Sequence, residues 1–345
     1  MQQMQEQLTA VLDSGAGKPW ELYMLPHACR SQRATVAAVI LVSCLFGHAF
    51  AQPAAGPPPM IKQDAARKVA AHTYVILDDN VGMVPNVGIV VGARATLIVD
   101  TGLGERNGAI VLAEARKVSD NTEFYLTATH FHPEHDLGAT AFPDDAEMVR
   151  WRAQQTEAEE QGAQMIERFS SFSPAIAELL AGARLRPVDT LFDDEVRLDL
   201  GGVHVRVKGV GPNHTRGDTV MFVEEDRVLF TGDVVMSYFP SASAQAGSVE
   251  KWITNMTEFE AFAPAVVVPA HGRLGDVQFI RSYRDYLTAV RDETRAAKRQ
   301  GQTVEQVQQT LAPALAQRFP TLAPPTGQPT GRINAAIQMA YRDAP

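Results

Sequence analysis

The feature that most constrains this chain is a cluster of three histidines and a glutamate directly after an apolar run. Residues 129–138 read Thr-His-Phe-His-Pro-Glu-His-Asp-Leu-Gly, which places His130, His132, Glu134 and His135 within six positions. Alternate residues of an extended segment project to one side, so the first two histidines can point the same way. Imidazole nitrogens and carboxylate oxygens are zinc's usual ligands at open catalytic sites, whereas structural zinc sites more often use thiolates. The cluster therefore predicts a catalytic metal site.

The first fifty residues are typical of an export signal. An uncharged, mostly apolar run of 13 residues, 34–46, follows two arginines and precedes Ala49-Phe50-Ala51. A basic region, a short apolar region and an A-x-A site make a secretory signal peptide, and the run is too short to span a bilayer comfortably. We therefore predict a signal peptide over residues 1–51 and a periplasmic or secreted protein. Because 33 residues precede the apolar run, Met24 is a candidate for the true start.

Cleavage after Ala51 leaves a mature chain without cysteine, because the two cysteines are Cys29 and Cys44. The segment Leu-Val-Ser-Cys that ends at Cys44 is similar to a bacterial lipobox. The residues after it continue the signal, so we favour cleavage after Ala51 over a lipid anchor. A disulfide scaffold and a cysteine-rich zinc domain are excluded. The mature chain keeps seven histidines: His72, His130, His132, His135, His204, His214 and His271.

The composition is that of an ordinary soluble enzyme, with 45% hydrophobic and 21% charged residues. Residues 1–51 hold as many basic as acidic residues, so the mature part keeps the whole net charge of −9. An excess of negative charge argues against a protein that binds nucleic acid electrostatically. We predict a small-molecule substrate, no nucleic-acid partner and no stable membrane span. The oligomeric state is left open.

The hydrophobic pattern predicts strands and helices in mixed order. Strands are expected at 73–77, 87–91, 95–100, 124–127, 196–200, 203–207, 220–223, 228–230 and 265–268. Helices are expected at 107–118, 145–182 with a break near 171–174, 248–261, and from 277 onward with breaks at Gly301 and 320–329. No dinucleotide-binding or P-loop motif occurs. The plan predicts a layered α/β domain over residues 67–276, after a flexible lead-in at 52–66 and before a helical extension at 277–345.

Three further candidate ligands follow on separate loops. His214 lies in Gly-Pro-Asn-His-Thr-Arg-Gly-Asp, Asp233 in Leu-Phe-Thr-Gly-Asp, and His271 in Val-Pro-Ala-His-Gly-Arg. The last two come at the ends of apolar strands. Loops at one edge of a layered sheet are where ligands cluster, so these side chains are candidates for the same site.

This series resembles the metallo-β-lactamase superfamily, whose signature is H-x-H-x-D-H, a distant His, an Asp after a strand and a last His. The resemblance covers residues 70–275, with Glu134 in the place of the Asp. It implies a four-layer αββα sandwich, with extra C-terminal helices in this chain. By the same resemblance His130, His132 and His214 hold one metal, and Asp233 bridges to a second. Glu134 or its neighbour His135, together with His271, holds that second metal, and Asp100 buttresses the histidine loop.

The resemblance implies a zinc-dependent hydrolase with two metals, in which Asp233 and Glu134 act on the water that attacks a carbonyl centre. The mature chain lacks the Cys ligand of some lactamases, so the all-histidine subclass is the better match. The export signal favours a β-lactam substrate. The alternatives are a thioesterase or lactonase of the glyoxalase II type and an iron-dependent persulfide dioxygenase, iron being the less favoured metal. Residues 145–182 and 236–250 are expected to shape the cleft.

Glu134 is the main departure from the signature. Glutamate carries one more methylene than aspartate, whereas zinc–oxygen distances tolerate only about 0.2 Å. We therefore predict that the second metal binds more weakly than it would with aspartate at this position.

Five other polar residues are predicted to lie outside the site. His72 and His204 are expected on solvated surfaces. Asp136 is expected to cap a helix rather than to replace a ligand. Lys208 and Arg216 could recognise an anionic substrate, but solvated charges are the simpler interpretation.

Overall fold

The computed structural model describes residues 56–242, 247–324 and 329–345, which all belong to the unit Gln52–Pro345. The predicted signal peptide, with Met24 and Cys44, lies outside the described residues. Among the described helices, none is long and apolar enough to cross a membrane.

The first half of the described chain builds a seven-stranded sheet in which the strands follow chain order. Its strands are β1 (Ala66–Lys68), β2 (Thr73–Ile76), β3 (Val87–Val91), β4 (Ala95–Val99), β5 (Glu123–Thr127), β6 (Glu147–Trp151) and β7 (Thr190–Phe192). The first four strands pair antiparallel, and β4 to β7 run parallel. The parallel strands end at one edge, and the loop after β5 carries the histidine cluster.

A second sheet has five strands in the order β12-β11-β10-β9-β8. They are β8 (Glu195–Asp199), β9 (His204–Gly209), β10 (Thr219–Val223), β11 (Val228–Gly232) and β12 (Val266–Pro269). All neighbours are antiparallel except β11 and β12, which run parallel and therefore end together. The loops that hold Asp233 and His271 consequently start side by side.

Eight helices complete the described chain. They are α1 (Gly104–Val118), α2 (Pro133–Asp136), α3 (Arg152–Ser170), α4 (Pro174–Leu179), α5 (Val249–Ala261), α6 (Val277–Arg299), α7 (Val304–Arg318) and α8 (Thr330–Asp343). Short 3₁₀ turns lie at Leu137–Ala141 and Pro320–Leu322.

The strands alternate their side chains between two apolar layers, which gives the sandwich its order. On β4, Leu97 and Val99 pack against Val205 and Phe230 of the second sheet, whereas Ile98 faces the layer that contains α1. A third cluster packs α5 to α8 on the outer face of the second sheet. The layers are therefore helix, sheet, sheet and helix, and the predicted αββα fold with extra C-terminal helices is confirmed.

Two details differ from the sequence prediction. Residues 147–151 form strand β6 rather than the start of a helix, because buried Met148 and Val149 join the core while the Ala-, Glu- and Gln-rich residues behind them form α3. The short edge strands β1 and β7 were not predicted, and their three residues each are too few to show a period.

Residues 56–65 lie against the domain, although the sequence predicted a flexible lead-in. Ile61 is only 2% exposed, and its N–H donates to Oδ1 of Asn107 at 2.7 Å. The carboxylate of Glu114 accepts the N–H groups of residues 64, 65 and 66 at 2.8, 3.0 and 3.1 Å. These bonds attach the segment to α1.

Candidate metal centre

Asp100, which directly follows β4, anchors by hydrogen bonds the loop that carries His130, His132 and His135, which we call the histidine loop. Its Oδ1 accepts the N–H of Thr129 at 2.7 Å, and its Oδ2 accepts the Thr129 hydroxyl at 3.0 Å and Nδ1–H of His135 at 2.9 Å. The residue is 1% exposed and has a φ of 62°, a conformation that aspartate tolerates better than most residues. The geometry agrees with the buttressing role that the family resemblance implied.

The loop also packs tightly against the start of α1. The N–H of Thr101 donates to the carbonyl of His135 at 2.8 Å. A Cβ at Gly138 would lie 2.0 Å from the carbonyl oxygen of Thr101, so only glycine fits there. This close approach fixes where the histidines emerge.

His130, His132 and His214 form the first ligand group, whose nitrogens lie within 4.8 Å of one another. Nε2 of His130 and Nε2 of His214 lie 3.0 and 3.2 Å from Nδ1 of His132. Tetrahedral zinc with bonds of about 2.0–2.1 Å separates its ligand nitrogens by about 3.3 Å, so the spacing fits a metal. Burial, followed by the neighbouring imidazoles, lowers the pKa of His130 and of His132 well below the ordinary value, which keeps their lone pairs available.

The outer nitrogens of two of these histidines have their own partners. Nδ1–H of His214 donates to the carbonyl of Ser241 at 2.6 Å, and Nδ1 of His130 lies 3.2 Å from the Thr129 hydroxyl. Such bonds select the tautomer with a free Nε2, the atom that faces the cluster.

Glu134, His135 and His271 form the second group, again within 4.8 Å. Nε2 of His135 and Oε2 of Glu134 are buried without a hydrogen-bond partner among the described residues. Nδ1–H of His271 donates to the carbonyl of Val84 at 3.0 Å, which leaves its Nε2 free. Burial lowers the pKa of His135, but Asp100 outweighs it and raises that pKa to about 9, so a metal at Nε2 must displace a proton. Unpartnered buried polar atoms are costly, and a metal would satisfy them.

Asp233 lies between the two groups. Its Oδ2 is 3.4 Å from Nε2 of His214, and its Oδ1 is 3.8 Å from Nε2 of His271. Burial raises the pKa of this carboxyl, but the surrounding histidines outweigh it and lower that pKa to about 2, so the group is ionised at neutral pH. One oxygen facing each group is the geometry that a bridging carboxylate needs.

The structure corrects the role predicted for Asp136. Its side chain caps no helix and belongs to none of the ligand groups. Instead its Oδ1 accepts from Nη2 of Arg150 at 2.7 Å, and both residues are 1% exposed. No sequence pattern indicated this pair, because Arg150 belongs to strand β6, which was predicted as helix. The ion pair holds α2 against β6.

The other residues predicted outside the site remain outside it. Arg216 pairs with Glu160, Lys208 lies 3.2 Å from Glu258, and His72 is half-buried away from the cluster. His204 does approach Glu224 and Glu225. These carboxylates already accept from Arg197 and from His204 itself, so the three side chains have their own partners.

Two supporting residues were missed. Asp218 accepts the N–H groups of Asn213, His214 and Thr215 at 3.1, 2.8 and 3.0 Å, and thereby shapes the loop that presents His214. Burial raises the pKa of Asp218 to about 6. A carboxylate four residues after a histidine in a Gly- and Asn-rich loop is the signal that could have found it. Asn86 similarly donates to the carbonyls of residues 269 and 272, on either side of His271, at 2.8 Å each.

Both ligand groups open into one cleft of about 440 Å³. The C-terminal end of α3 forms one wall, and Tyr238 and Ser241 form part of another, as expected for residues 145–182 and 236–250. A wall that was not predicted comes from Arg332 of α8. A larger depression of about 640 Å³ lies beside Arg273 and contains none of the candidate ligands, so the smaller cleft is the candidate site.

Comparison with known proteins agrees with this geometry. A family model described as the metallo-β-lactamase superfamily matches residues 81–271. A linear primary-alkylsulfatase from Pseudomonas sp. is 27% identical over 285 residues, which cover 71% of this chain and 53% of that protein. An atrochrysone carboxyl ACP thioesterase from Emericella nidulans is 25% identical over 197 residues, or 57% of this chain and 54% of the thioesterase. The chain spans about half the length of these curated relatives.

Solved structures show the same fold. A stereoselective inverting sec-alkylsulfatase from Pseudomonas sp. aligns with a TM-score of 0.63 and 15% identity, covering 79% of this chain and 50% of the sulfatase. A metallo-β-lactamase from Pontibacter korlensis aligns with a TM-score of 0.52 and 18% identity, covering 65% of this chain and 98% of the lactamase. At such identities the likeness concerns the fold alone.

Proposed function

The chain belongs to the metallo-β-lactamase superfamily, and from that premise we propose that it is an exported, zinc-dependent hydrolase. The observation that carries the proposal is the convergence of two ligand groups on Asp233, with unpartnered buried atoms in Glu134 and His135. Nitrogen and carboxylate donors without thiolate suit zinc at an open catalytic site. The same donors also accept iron, which is therefore tested directly.

In this proposal His130, His132 and His214 would hold one metal, Glu134, His135 and His271 would hold the other, and Asp233, which lies between the two groups, would serve both. A metal pair held there supplies a Lewis acid and lowers the pKa of a water molecule toward neutrality. Asp233 and Glu134 line the cleft and can accept hydrogen bonds from that water, which orients it toward the substrate. Because Asp233 stays ionised, it orients the water without keeping a proton.

We propose an ester or thioester as the bond that is cleaved. Two of the relatives by sequence are named an alkylsulfatase and a thioesterase. The β-lactam that the export signal suggested has weaker support, since the likeness to a lactamase rests on 18% identity. It therefore stays a prediction, and none of the relatives named above is a persulfide dioxygenase.

A substrate panel with elemental analysis tests the proposal. The metal-loaded protein is assayed with an alkyl sulfate, an acyl thioester, a lactone and a chromogenic cephalosporin. We expect zinc as the bound metal and turnover of a sulfate ester or thioester. The variant His132→Ala should lose several orders of magnitude of turnover, whereas the variant His204→Ala, at a half-buried histidine outside the cluster, should not.

Turnover of the cephalosporin alone would refute the ester assignment, and iron as the only metal would refute zinc. Equal activity of the two histidine variants would refute the site. Export has its own test, because N-terminal sequencing of the periplasmic or secreted protein should begin at Gln52.

A further inference from the structure

Two arginines border the cleft without a carboxylate partner among the described residues. Arg168 lies on the last turn of α3, is exposed, and has no described hydrogen bond or ion pair for its guanidinium. Arg332 comes from α8, where Nη1 donates to the carbonyl of Phe239 at 3.2 Å and the guanidinium lies 5.9 Å from the centre of the Tyr238 ring. We call Arg168 and Arg332 the arginine pair.

Several other arginines of this chain, whose net charge is −9, do pair with a carboxylate. Arg206 pairs with Glu195, and Arg152 pairs with Asp193, each at 2.7 Å. The arginine pair instead shares its cleft with three carboxylates: Glu134 and Asp233 belong to the ligand groups, and Asp78 accepts the N–H groups of Asn80 and Gly272. None of these three carboxylates forms an ion pair with Arg168 or Arg332 in the described ranges, so both guanidinium groups can bind an anion in the cleft. Guanidinium groups bind carboxylates and other oxyanions through paired, charge-assisted hydrogen bonds.

The same cleft has an apolar wall. Its residues are Met165, Phe169 and Phe172 at the end of α3, and Val81 and Met83 of the facing loop. Met165 and Phe169 are four residues apart on α3 and share a face with Arg168, and Phe172 follows in the turn after the helix. The rings of Phe169 and Phe172 are 5.1 Å apart, and Phe169 lies 6.0 Å from the ring of His132, so the wall begins beside a candidate ligand.

The wall is unusually exposed. Phe172 is 47% exposed and Val81 is 40% exposed, and in the described ranges only Leu191 joins them as an exposed large hydrophobic residue. Exposed apolar side chains grouped at a cleft mark a binding surface for an apolar ligand. The cleft's volume of about 440 Å³ lies within the usual range for small-molecule sites.

We propose that the substrate is an amphiphilic anion, whose charged group is bound by the arginine pair and whose hydrocarbon chain lies along the apolar wall. This inference rests on the proposed function, and it names the substrate class for the same site. It also gives the C-terminal extension a role, because α8 supplies one of the two arginines. Both residues would determine specificity by binding the substrate, without acting on the reacting atoms.

Calorimetric binding of octanesulfonate, an amphiphilic anion with no bond to hydrolyse, tests the inference on the metal-loaded full chain. The variants Arg332→Met and Arg168→Met should each weaken binding about tenfold, the loss expected when a hydrogen bond to a charged group is removed. The variant Arg332→Lys should weaken it less, because it keeps the charge. Arg116→Met is the matched control, since Arg116 is also exposed and unpaired among the described residues but lies on α1, outside the cleft.

Two comparison ligands separate the parts of the site. Methanesulfonate, which lacks the chain, should bind more weakly than octanesulfonate. 1-Octanol lacks the charge, so Arg168→Met and Arg332→Met should lose less affinity for 1-octanol than they lose for octanesulfonate. If Arg332→Met does not fold, Arg168→Met on the exposed face of α3 still decides the role of the pair.

If Arg168→Met and Arg332→Met both bind octanesulfonate as tightly as wild type, the arginine pair does not bind the anionic group. If methanesulfonate and octanesulfonate bind equally tightly, the apolar wall does not bind the hydrocarbon chain. Turnover of octyl sulfate, measured on the same samples, keeps the two proposals apart. If the protein hydrolyses octyl sulfate but both arginine variants bind octanesulfonate like wild type, the proposed function holds and the role of the arginine pair is refuted. If binding depends on the arginines but no ester is hydrolysed, the role of the arginine pair holds and the proposed function is refuted.

Discussion

Replacing Asp100 with asparagine should weaken the second metal site and leave the first one nearly intact. Oδ1 of Asp100 accepts a backbone N–H, which cannot change its role, so the amide oxygen of asparagine must take that position. The NH₂ group then faces the Thr129 hydroxyl and Nδ1 of His135. The hydroxyl can rotate, but His135 must give up its Nδ1 proton and carry it on Nε2, where the metal would bind.

The magnitude follows from the bond that is lost. Nδ1 of His135 donates to the carboxylate at 2.9 Å in a fully buried place. A hydrogen bond to a charged group contributes about 1.5–3 kcal/mol, and about 1.4 kcal/mol corresponds to tenfold in affinity. We therefore expect the second metal to bind about 10- to 100-fold more weakly, as is usual when a partner of a metal-binding histidine is removed.

The assay is a zinc titration by calorimetry, with dialysis and elemental analysis to count the metals. Asp226→Asn is the matched control, because Asp226 also accepts a backbone N–H and a threonine hydroxyl, from His72 and Thr73, but contacts no histidine ring. Asparagine tolerates a positive φ as aspartate does, so the backbone at residue 100 is not strained further.

If Asp100→Asn binds zinc at both sites with the same affinities as Asp226→Asn, this reasoning is refuted. A loss confined to the first site would also refute it, because His130, His132 and His214 do not bond to Asp100.

Two further predictions concern other parts of the molecule. Glu134→Asp should tighten the second metal site, because the shorter side chain restores the carboxylate position of the family signature; equal second-site affinities in the zinc titration would contradict this. Glu114→Gln should lower the free energy of unfolding at pH 7 by about 1–3 kcal/mol, because the residue accepts three backbone N–H groups and Lys117. Burial raises the pKa of Glu114, but these bonds outweigh it and leave that pKa below its ordinary value, so their stabilisation is present above the unfolded-state pKa of about 4.3 and is lost as pH falls through the folded-state pKa. Denaturant unfolding should therefore give a lower free energy of unfolding for Glu114→Gln than for wild type at pH 7, and the difference should disappear in acid. Equal free energies of unfolding at pH 7 would contradict the stabilising role of the Glu114 bonds.

Most of the candidate site could be predicted because its residues stand in short segments with local constraints. His130 and His132 follow a buried strand, and Asp233 comes directly after another, so strand direction alone brings them to one edge. The apolar periods likewise located nearly all strands of the two sheets. β6 was the main failure, since five strand residues precede nineteen helical ones and the longer pattern dominated the prediction.

The role of Asp136 could not be assigned from residue type, because its partner is set by packing. An aspartate that follows a histidine can equally well cap a helix, bind a metal or form an ion pair. For Asp136 the choice is decided by Arg150, which the fold places beside it. The same holds for Arg332, which the sequence shows only as a charged residue in a C-terminal helix.

The sequence by itself therefore determined the chemistry of this protein: imidazole and carboxylate donors, no cysteine after residue 44, and loops at strand ends to present the donors. These properties depend on residue type and on strand period, which act over a few positions. Only the tertiary structure decided that the cleft beside these donors is bordered by two arginines and an apolar wall. Those features join α3, the loop after β2 and α8, and contacts between such distant segments follow from how the layers pack rather than from any local pattern.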